Sequence, residues 1–175
     1  MAELEIHHEH EHSNDPAGKR VGIQAALLGV LLAVVTIFSH RTHTASIMHK
    51  STANDQWAYY QATRIKLHNT ELALNLIQIV GPKAEAAEGI RTDYEKQAKK
   101  YEEQSKANQD KAREADEAAE RDEHIALRYD IGEGLLEIGL VLSSLYFISR
   151  KQMFPVMGIA AGILGTICAV LGVFQ

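Results

Sequence analysis

The sequence predicts an all-α integral membrane protein with three transmembrane helices and a long antiparallel helical (coiled-coil) hairpin between the first and the second. Charged residues are nearly absent from three stretches, 21–39, 131–149 and 153–174, and are dense between the first and second of these. The segment 40–130 is rich in strong helix formers and contains few residues that end a helix. Together these observations separate membrane helices from an extramembrane helical insert.

Each of the three stretches has the length of a membrane span. At a rise of about 1.5 Å per residue, a helix of roughly 20 residues crosses a hydrocarbon core of about 30 Å. The first stretch could be a cleaved signal sequence, because Lys19 and Arg20 precede it. It is too long for a typical signal core and no clear small-residue cleavage site follows, so we interpret it as a retained anchor.

The segment 40–130 is predicted to fold back on itself once. Residues 40–80 contain no Gly or Pro, and residues 83–130 contain no Pro and only Gly89. The breaker pair between them, Gly81 and Pro82, is therefore the predicted tip, with two arms of similar length.

An aromatic cluster lies on the first arm, where Trp57, Tyr59 and Tyr60 occur within four positions. Counting outward from the predicted tip, Trp57 faces residues 105–107, so that bulky side chains of one arm meet small ones of the other. The hairpin packing or partner contacts predicted in this way are Trp57, Tyr59, Tyr60, Tyr94 and Tyr101.

Two other interpretations of the aromatic cluster stay open. A membrane-interface belt is common for Trp and Tyr, but Trp57 follows Ser39 by about 27 Å along a continuous helix, so the belt requires a bend. A platform on which a ligand stacks is the other alternative.

Glu133 and Glu137 are the predicted intramembrane polar residues. They are four residues apart and share one face of the second span. Ionisable residues within a membrane are energetically costly and suggest a function. We expect either structural packing, with Glu137 bonded to Ser, Thr or Gln24 of a neighbouring helix, or a proton or cation pathway.

Small residues mark the predicted packing faces of the first and third spans. Small residues three or four positions apart allow helix backbones to approach closely, whether the partner helix belongs to the same chain or to another. The predicted helix-packing residues are Gly22, Gly29, Gly158, Gly162 and Gly165.

Residues 1–20 form a predicted disordered tail rich in His and Glu. Imidazole and carboxylate groups are zinc, nickel and copper ligands, so weak adventitious binding of a divalent metal is expected there, and no other cofactor. The candidate ligands are His7, His8, His10 and His12.

The charge distribution limits partners and suggests a topology. A net charge of -5 gives no support to nucleic-acid binding. Lys19 and Arg20 precede the first span, and Arg150 and Lys151 separate the second from the third. The positive-inside rule then predicts a cytoplasmic N-terminus and a periplasmic hairpin.

Two sequence runs resemble a known family. The run "ANDQWAYYQATRIK" follows the first span, and "RYDIGEGLLEIGLVLSSLYFISRKQMF" covers the second. Together they resemble the bacterial membrane-protein family called domain of unknown function 4337, over roughly residues 20–175. The resemblance implies a bacterial protein with three spans and a long helical insert, and it brings no catalytic residues. We expect a multi-pass protein of the bacterial inner membrane.

The expected function is a non-enzymatic inner-membrane scaffold or accessory subunit. No phosphate-binding glycine loop, metalloprotease helix motif or nucleophile elbow occurs in the sequence. We expect the protein to contact the lipid bilayer, to form a homo-oligomer or join a membrane complex, and to present its hairpin to a partner. An oligomeric ion or proton channel or transporter component using Glu133 and Glu137 is the alternative, and a metal-binding accessory protein is the third.

Overall fold

The computed structural model describes residues 15–80 and 85–174. The described residues form four helices, α1 (Pro16–Val80), α2 (Glu85–Ser144), α3 (Tyr146–Ser149) and α4 (Met153–Val173), and no strand occurs among them. Three helical segments are long and apolar enough to cross a membrane, Pro16–Ile79, Glu88–Ser149 and Met153–Val173. The predicted all-α membrane fold class is therefore confirmed. The predicted tip at Gly81 and Pro82 lies outside the described residues.

The chain divides into two compact units. The three-span unit contains the described residues up to Ile37 and those from Arg128 onward. The two-helix unit is Phe38–Leu127, which contributes one segment of α1 and one of α2.

α1 begins at Pro16, so residues 16–20, which the sequence analysis assigns to the tail, form the first helical turn. Asp15 caps this turn, because its Oδ1 accepts hydrogen bonds from the backbone N–H groups of Ala17 (3.1 Å) and Gly18 (3.0 Å). Pro16 at the first helical position has the φ that the helix needs and lacks an N–H that would go unpaired.

The second span has a one-residue interruption that the sequence analysis does not predict. α2 ends at Ser144 and α3 begins at Tyr146. The hydroxyls of Ser143 and Ser144 donate to the carbonyls of Gly139 (2.7 Å) and Val141 (2.7 Å), and the backbone N–H of Leu145 also donates to the Val141 carbonyl at 3.1 Å. The helical path then continues through α3 to the turn before α4.

Inside the two-helix unit, α1 and α2 are antiparallel. Thr63 of α1 is bonded to Asn108 of α2, and Ser46, which comes earlier in α1, is bonded to Ala119, which comes later in α2. Buried positions of α2 recur every seven residues, and those of α1 fall at compatible spacings. These positions are Ala53, Thr63, Leu67 and Thr70 of α1 and Ser105, Ala112, Ala119 and Ala126 of α2.

The three-span unit has a core built largely from small residues. Leu136 and Ser143 of α2 are fully buried. α1 contributes Val21, Leu28 and Val35 at intervals of seven residues. α4 contributes a buried row of mostly small side chains: Pro155, Gly158, Gly162, Gly165, Ala169 and Gly172.

Candidate functional site

The aromatic cluster of the two-helix unit is a contact between α1 and α2. The rings of Trp57 and Tyr60 pack edge to face with centroids 5.6 Å apart. The indole Nε1 of Trp57 donates to Asp116 Oδ2 at 2.7 Å. Tyr59 points to the surface and is 62% exposed. Trp57 thus contacts α2, Tyr60 packs on Trp57 within α1, and a partner contact at Tyr59 stays a prediction.

The structure places the polar tip of Trp57 further along α2 than the sequence analysis does. The predicted neighbours are residues 105–107, whereas the observed hydrogen-bond partner is Asp116. The contact between Thr63 and Asn108 (3.3 Å) is displaced in the same direction. The predicted pairs were counted outward from a tight turn at Gly81 and Pro82, and the register of two long helices depends on the turn between them.

Asp116 receives two donors from α1. Lys50 Nζ lies 3.3 Å from Oδ1, while Trp57 Nε1 occupies Oδ2. The hydrogen bond from Trp57, followed by that from Lys50, lowers the pKa of Asp116 below its ordinary value. The carboxylate therefore stays charged and bonded over the neutral range.

Two further polar contacts join α1 and α2 near this carboxylate. His49 Nδ1 lies 2.9 Å from Asp122 Oδ2, and the Ser46 hydroxyl donates to the backbone carbonyl of Ala119 at 3.2 Å. Because each contact requires one particular pairing of residues, the group selects one register for the helix pair.

Small residues form a column on α2, of which only Ser105 lies in the range predicted to face Trp57. Ser105, Ala112, Ala119 and Ala126 are all buried. Small side chains at every seventh position allow two helices to lie close together along their whole contact. Tyr94 and Tyr101, the predicted contact residues of this arm, are half-buried along the same face.

The glycines of α4 lie at close helix contacts inside the three-span unit. A Cβ built on Gly158 would lie 2.3 Å from Ser143 Oγ, and one on Gly165 would lie 2.7 Å from the Gly132 carbonyl. On Gly162 it would lie 2.4 Å from Leu28 of α1. Larger side chains at Gly158 and Gly165 would force the helices apart, because they would meet backbone atoms of α2. At Gly162 the Leu28 side chain would have to move.

Gly132 and Gly139 complete this contact from α2 and were missing from the predicted packing residues. A Cβ on Gly139 would lie 2.8 Å from the Gly158 carbonyl, and one on Gly132 would lie 2.8 Å from that of Gly165. Glycine therefore faces glycine at two levels seven residues apart. The spacing of Gly132, Gly139 and Ser143 could have revealed this face.

Gly22 and Gly29 of α1 have a different environment. A Cβ at either position would meet no atom within 4 Å in the part of the chain that the structure describes. Their predicted role in helix packing therefore stays a prediction, about contacts with a helix of another chain.

The two glutamates of the second span have different surroundings. Glu133 is half-buried, and its Oε1 accepts a hydrogen bond from the Thr36 hydroxyl of α1 at 2.8 Å. Glu137 is exposed on the surface of α2. Gln24, a suggested partner for Glu137, instead donates to Ser143 Oγ (2.7 Å) and to the Pro155 carbonyl (2.9 Å). It thereby links α1 with both α2 and α4.

The start of α1 contacts the turn before α4 in the three-span unit, and the positive residues of these two segments are predicted to share one membrane side. Arg150, in the turn before α4, contacts the Asp15 carboxylate at the start of α1 with an N–O distance of 2.5 Å. The backbone N–H of Gly18 and the charge of Arg150 hold the pKa of Asp15 below its ordinary value. Arg150 has a φ of 56° and closes α3 by donating its backbone N–H to the Tyr146 carbonyl.

An apolar groove follows the outside of α1 and α4 in the three-span unit. Its volume is about 590 Å³, and it is lined mainly by aliphatic side chains, with Arg20 and Gln24 near one end. A surface of this kind suits the acyl chains of the surrounding bilayer.

The predicted metal ligands His7, His8, His10 and His12 lie outside the described residues. Within residues 15–80 and 85–174, no group of three or more His, Cys, Asp or Glu side chains has an arrangement that could hold a metal ion. The expectation of weak metal binding by the tail therefore stays a prediction.

Comparison with known proteins identifies a family and gives no activity. The family model described as "Domain of unknown function (DUF4337)" matches residues 17–175. Neither the curated proteins nor the solved structures give a match.

Proposed function

We propose that this chain, which belongs to the DUF4337 family, is a non-enzymatic membrane scaffold or accessory subunit. In this proposal it self-associates in the membrane and presents the helices of the two-helix unit to a protein partner. The membrane is the bacterial inner membrane, with the N-terminus in the cytoplasm and the two-helix unit in the periplasm.

The observation that carries the proposal is exposed apolar surface outside the segments predicted to contact lipid. Ile47, Ile65, Leu72 and Ile79 of α1 are all more than half exposed in the two-helix unit. Apolar patches of this kind on a water-facing surface mark protein interaction sites. A lipid contact would not account for them, because they follow the predicted first span.

The polar residues of the two-helix unit support a structural role. Trp57, Lys50 and His49 of α1 are bonded to carboxylates of α2. These contacts fix the helix pair, so that its outer surface can serve as a rigid recognition element.

The topology is supported by the charges at one end of the three-span unit. Lys19 and Arg20 are near the start of α1, and the Arg150 turn contacts Asp15 at that start. Positive residues that share one membrane side favour the cytoplasm for that side.

One observation favours the alternative of an ion or proton pathway. Glu137 is exposed on a predicted span, where a carboxylate facing lipid is costly. A second copy could place Glu137 in a shared polar channel. Flux through liposomes should then fall strongly in Glu137→Gln and remain in the neighbouring Ile138→Leu control, whereas equal flux in wild type and Glu137→Gln would remove this alternative.

The proposed function is tested by the mass and composition of the complex extracted gently from native membranes. A tagged full chain is captured in lipid nanodiscs, and its copy number and companions are measured by native mass spectrometry. An unrelated three-span protein with the same tag serves as the control. More than one copy, with or without a specific membrane companion, is expected; a single copy of 19.4 kDa without a companion would overturn the proposal.

A further inference from the structure

The outer face of α1 in the two-helix unit carries a second heptad seam. Its seven positions follow one another at alternating intervals of four and three residues, and all are exposed. None of them is charged. In order along the helix, the outer seam consists of Ala58, Ala62, Ile65, Asn69, Leu72, Leu76 and Ile79.

The outer seam differs from the face of α1 that packs on α2. That inner face includes Ala53, Thr63, Leu67 and Thr70, which are buried. The larger side chains of the outer seam are instead solvent-exposed, from 52% at Leu72 to 80% at Ile79. α1 therefore has the pattern of a helix with two packing faces, of which the chain itself covers one.

The corresponding outer face of α2 shows what a solvated surface looks like in this unit. Its exposed residues are almost all charged and mixed in sign, as expected for a helix that faces water. They include Lys99, Lys100, Glu103, Lys106, Asp110, Arg113, Glu114, Glu117, Glu120 and Arg121. The apolar character of the outer seam is thus specific to α1.

We propose that the outer seam binds the same seam of a second copy of this chain, forming a parallel two-stranded contact between the two α1 helices. The inference rests on the proposed function, because it specifies the surface through which the protein self-associates. Copies inserted in one membrane have the same orientation. A two-fold axis that runs along the outer seam places one α1 parallel to the other.

Charge favours a second copy as the occupant. In a symmetric parallel pair each residue meets its own counterpart or a near neighbour, so a charged seam would repel itself. The outer seam has no charge between Ala58 and Ile79, and the one flanking cation, Lys66, would face the neutral Gln61 of the second copy. A strongly charged partner would find no complementary group on the seam itself.

Asn69 supports both the parallel orientation and the number of strands. In the heptad of the outer seam it occupies an a position, between Ile65 and Leu72 at d positions. A single Asn at an a position fixes register and strand number at some cost in stability, because two such side chains can bond to each other across the axis. The small residues Ala58 and Ala62 allow close approach at one end of the seam.

Cysteine cross-linking in native membranes tests the inference with the full chain. Cys168 is the only cysteine, so Cys168→Ser gives a background into which single cysteines are introduced. Ile65→Cys lies on the outer seam, and Arg64→Cys, the adjacent exposed residue on another face, is the matched control. Mild oxidation should shift Ile65→Cys from the mass of one chain to that of two and leave Arg64→Cys unshifted.

A second pair of variants tests the association without cysteines. Ile65→Glu combined with Leu72→Glu places like charges across the proposed axis, and loss of the two-chain species is expected. Asn69→Leu should retain association but lose the strict two-chain stoichiometry, because an apolar a position no longer restricts strand number. An exposed Asn without a partner copy would give no such change.

The outcomes separate this inference from the proposed function. If the extracted complex contains several copies but Ile65→Cys forms no linked pair and the double Glu variant keeps its mass, the outer-seam contact is wrong while self-association stands. If the complex contains one chain and a different protein, and Ile65→Cys links to that protein, the second copy is also the wrong occupant. A lone chain without a companion overturns both.

Discussion

Replacing Ala112 by Leu should destabilise the contact between α1 and α2. Ala112 is fully buried in the two-helix unit, in the column of small residues that allows the helices to lie close together. Added carbon atoms at a filled position typically cost about 1 to 3 kcal/mol, because side chains and backbone must shift. Ala107→Leu is the matched control, since Ala107 is exposed on the same helix and surface changes usually stay within about 0.5 kcal/mol.

The assay uses the only tryptophan of the chain. Trp57 donates to Asp116, so its fluorescence changes when α1 and α2 separate. Denaturant unfolding of the full chain in detergent micelles should give a free energy of unfolding lower by about 1 to 3 kcal/mol for Ala112→Leu. Equal midpoints for Ala112→Leu and Ala107→Leu would refute the close-packed column.

Three further changes have defined outcomes. Gly158→Ala should lower the unfolding free energy of the three-span unit by about 1 to 3 kcal/mol. Gly134→Ala, where a Cβ has open space, should instead be neutral or stabilising by up to about 1 kcal/mol. Unfolding in mixed micelles, followed by circular dichroism, compares the two variants, and equal losses would contradict the close helix contact at Gly158. Gln24→Leu removes two bonds between helices and should cost about 1 kcal/mol in the same assay, at about 0.6 kcal/mol per bond; an unchanged midpoint would show that these bonds contribute nothing. The pKa of Asp116 is lowered from its ordinary value of 3.8, so the stability due to its bonds is present above that value and is lost as pH falls through the lower pKa of the folded state. Asp116→Asn should remove this part of the acid dependence of Trp57 fluorescence. An acid profile identical to that of the wild-type protein would contradict this contribution of Asp116.

Much of the fold follows from the sequence because span length and helix breakers act locally. Three stretches with few charged residues and the helix formers of 40–130 predict the helices that the structure contains. The interruption at Leu145 does not follow in the same way, because residues 140–150 contain neither Gly nor Pro. The start of α1 at Pro16 depends on the cap from Asp15.

Contacts between helices were harder to predict because they depend on register. Alanines are common on α2, so nothing local distinguishes buried Ala112 from exposed Ala107 until the opposing helix is placed. Glu133 and Glu137 likewise share one face by spacing. Only the position of Thr36 decides that Glu133 is paired while Glu137 lies exposed.

The number of chains in each complex decides whether the protein works as an assembly held together by its helices. Stepwise photobleaching of a fluorescent fusion at native expression counts these chains without extracting them from the membrane. Two bleaching steps are expected for most wild-type complexes and one for the Ile65→Glu, Leu72→Glu double variant. A single step for the wild-type protein would contradict self-association.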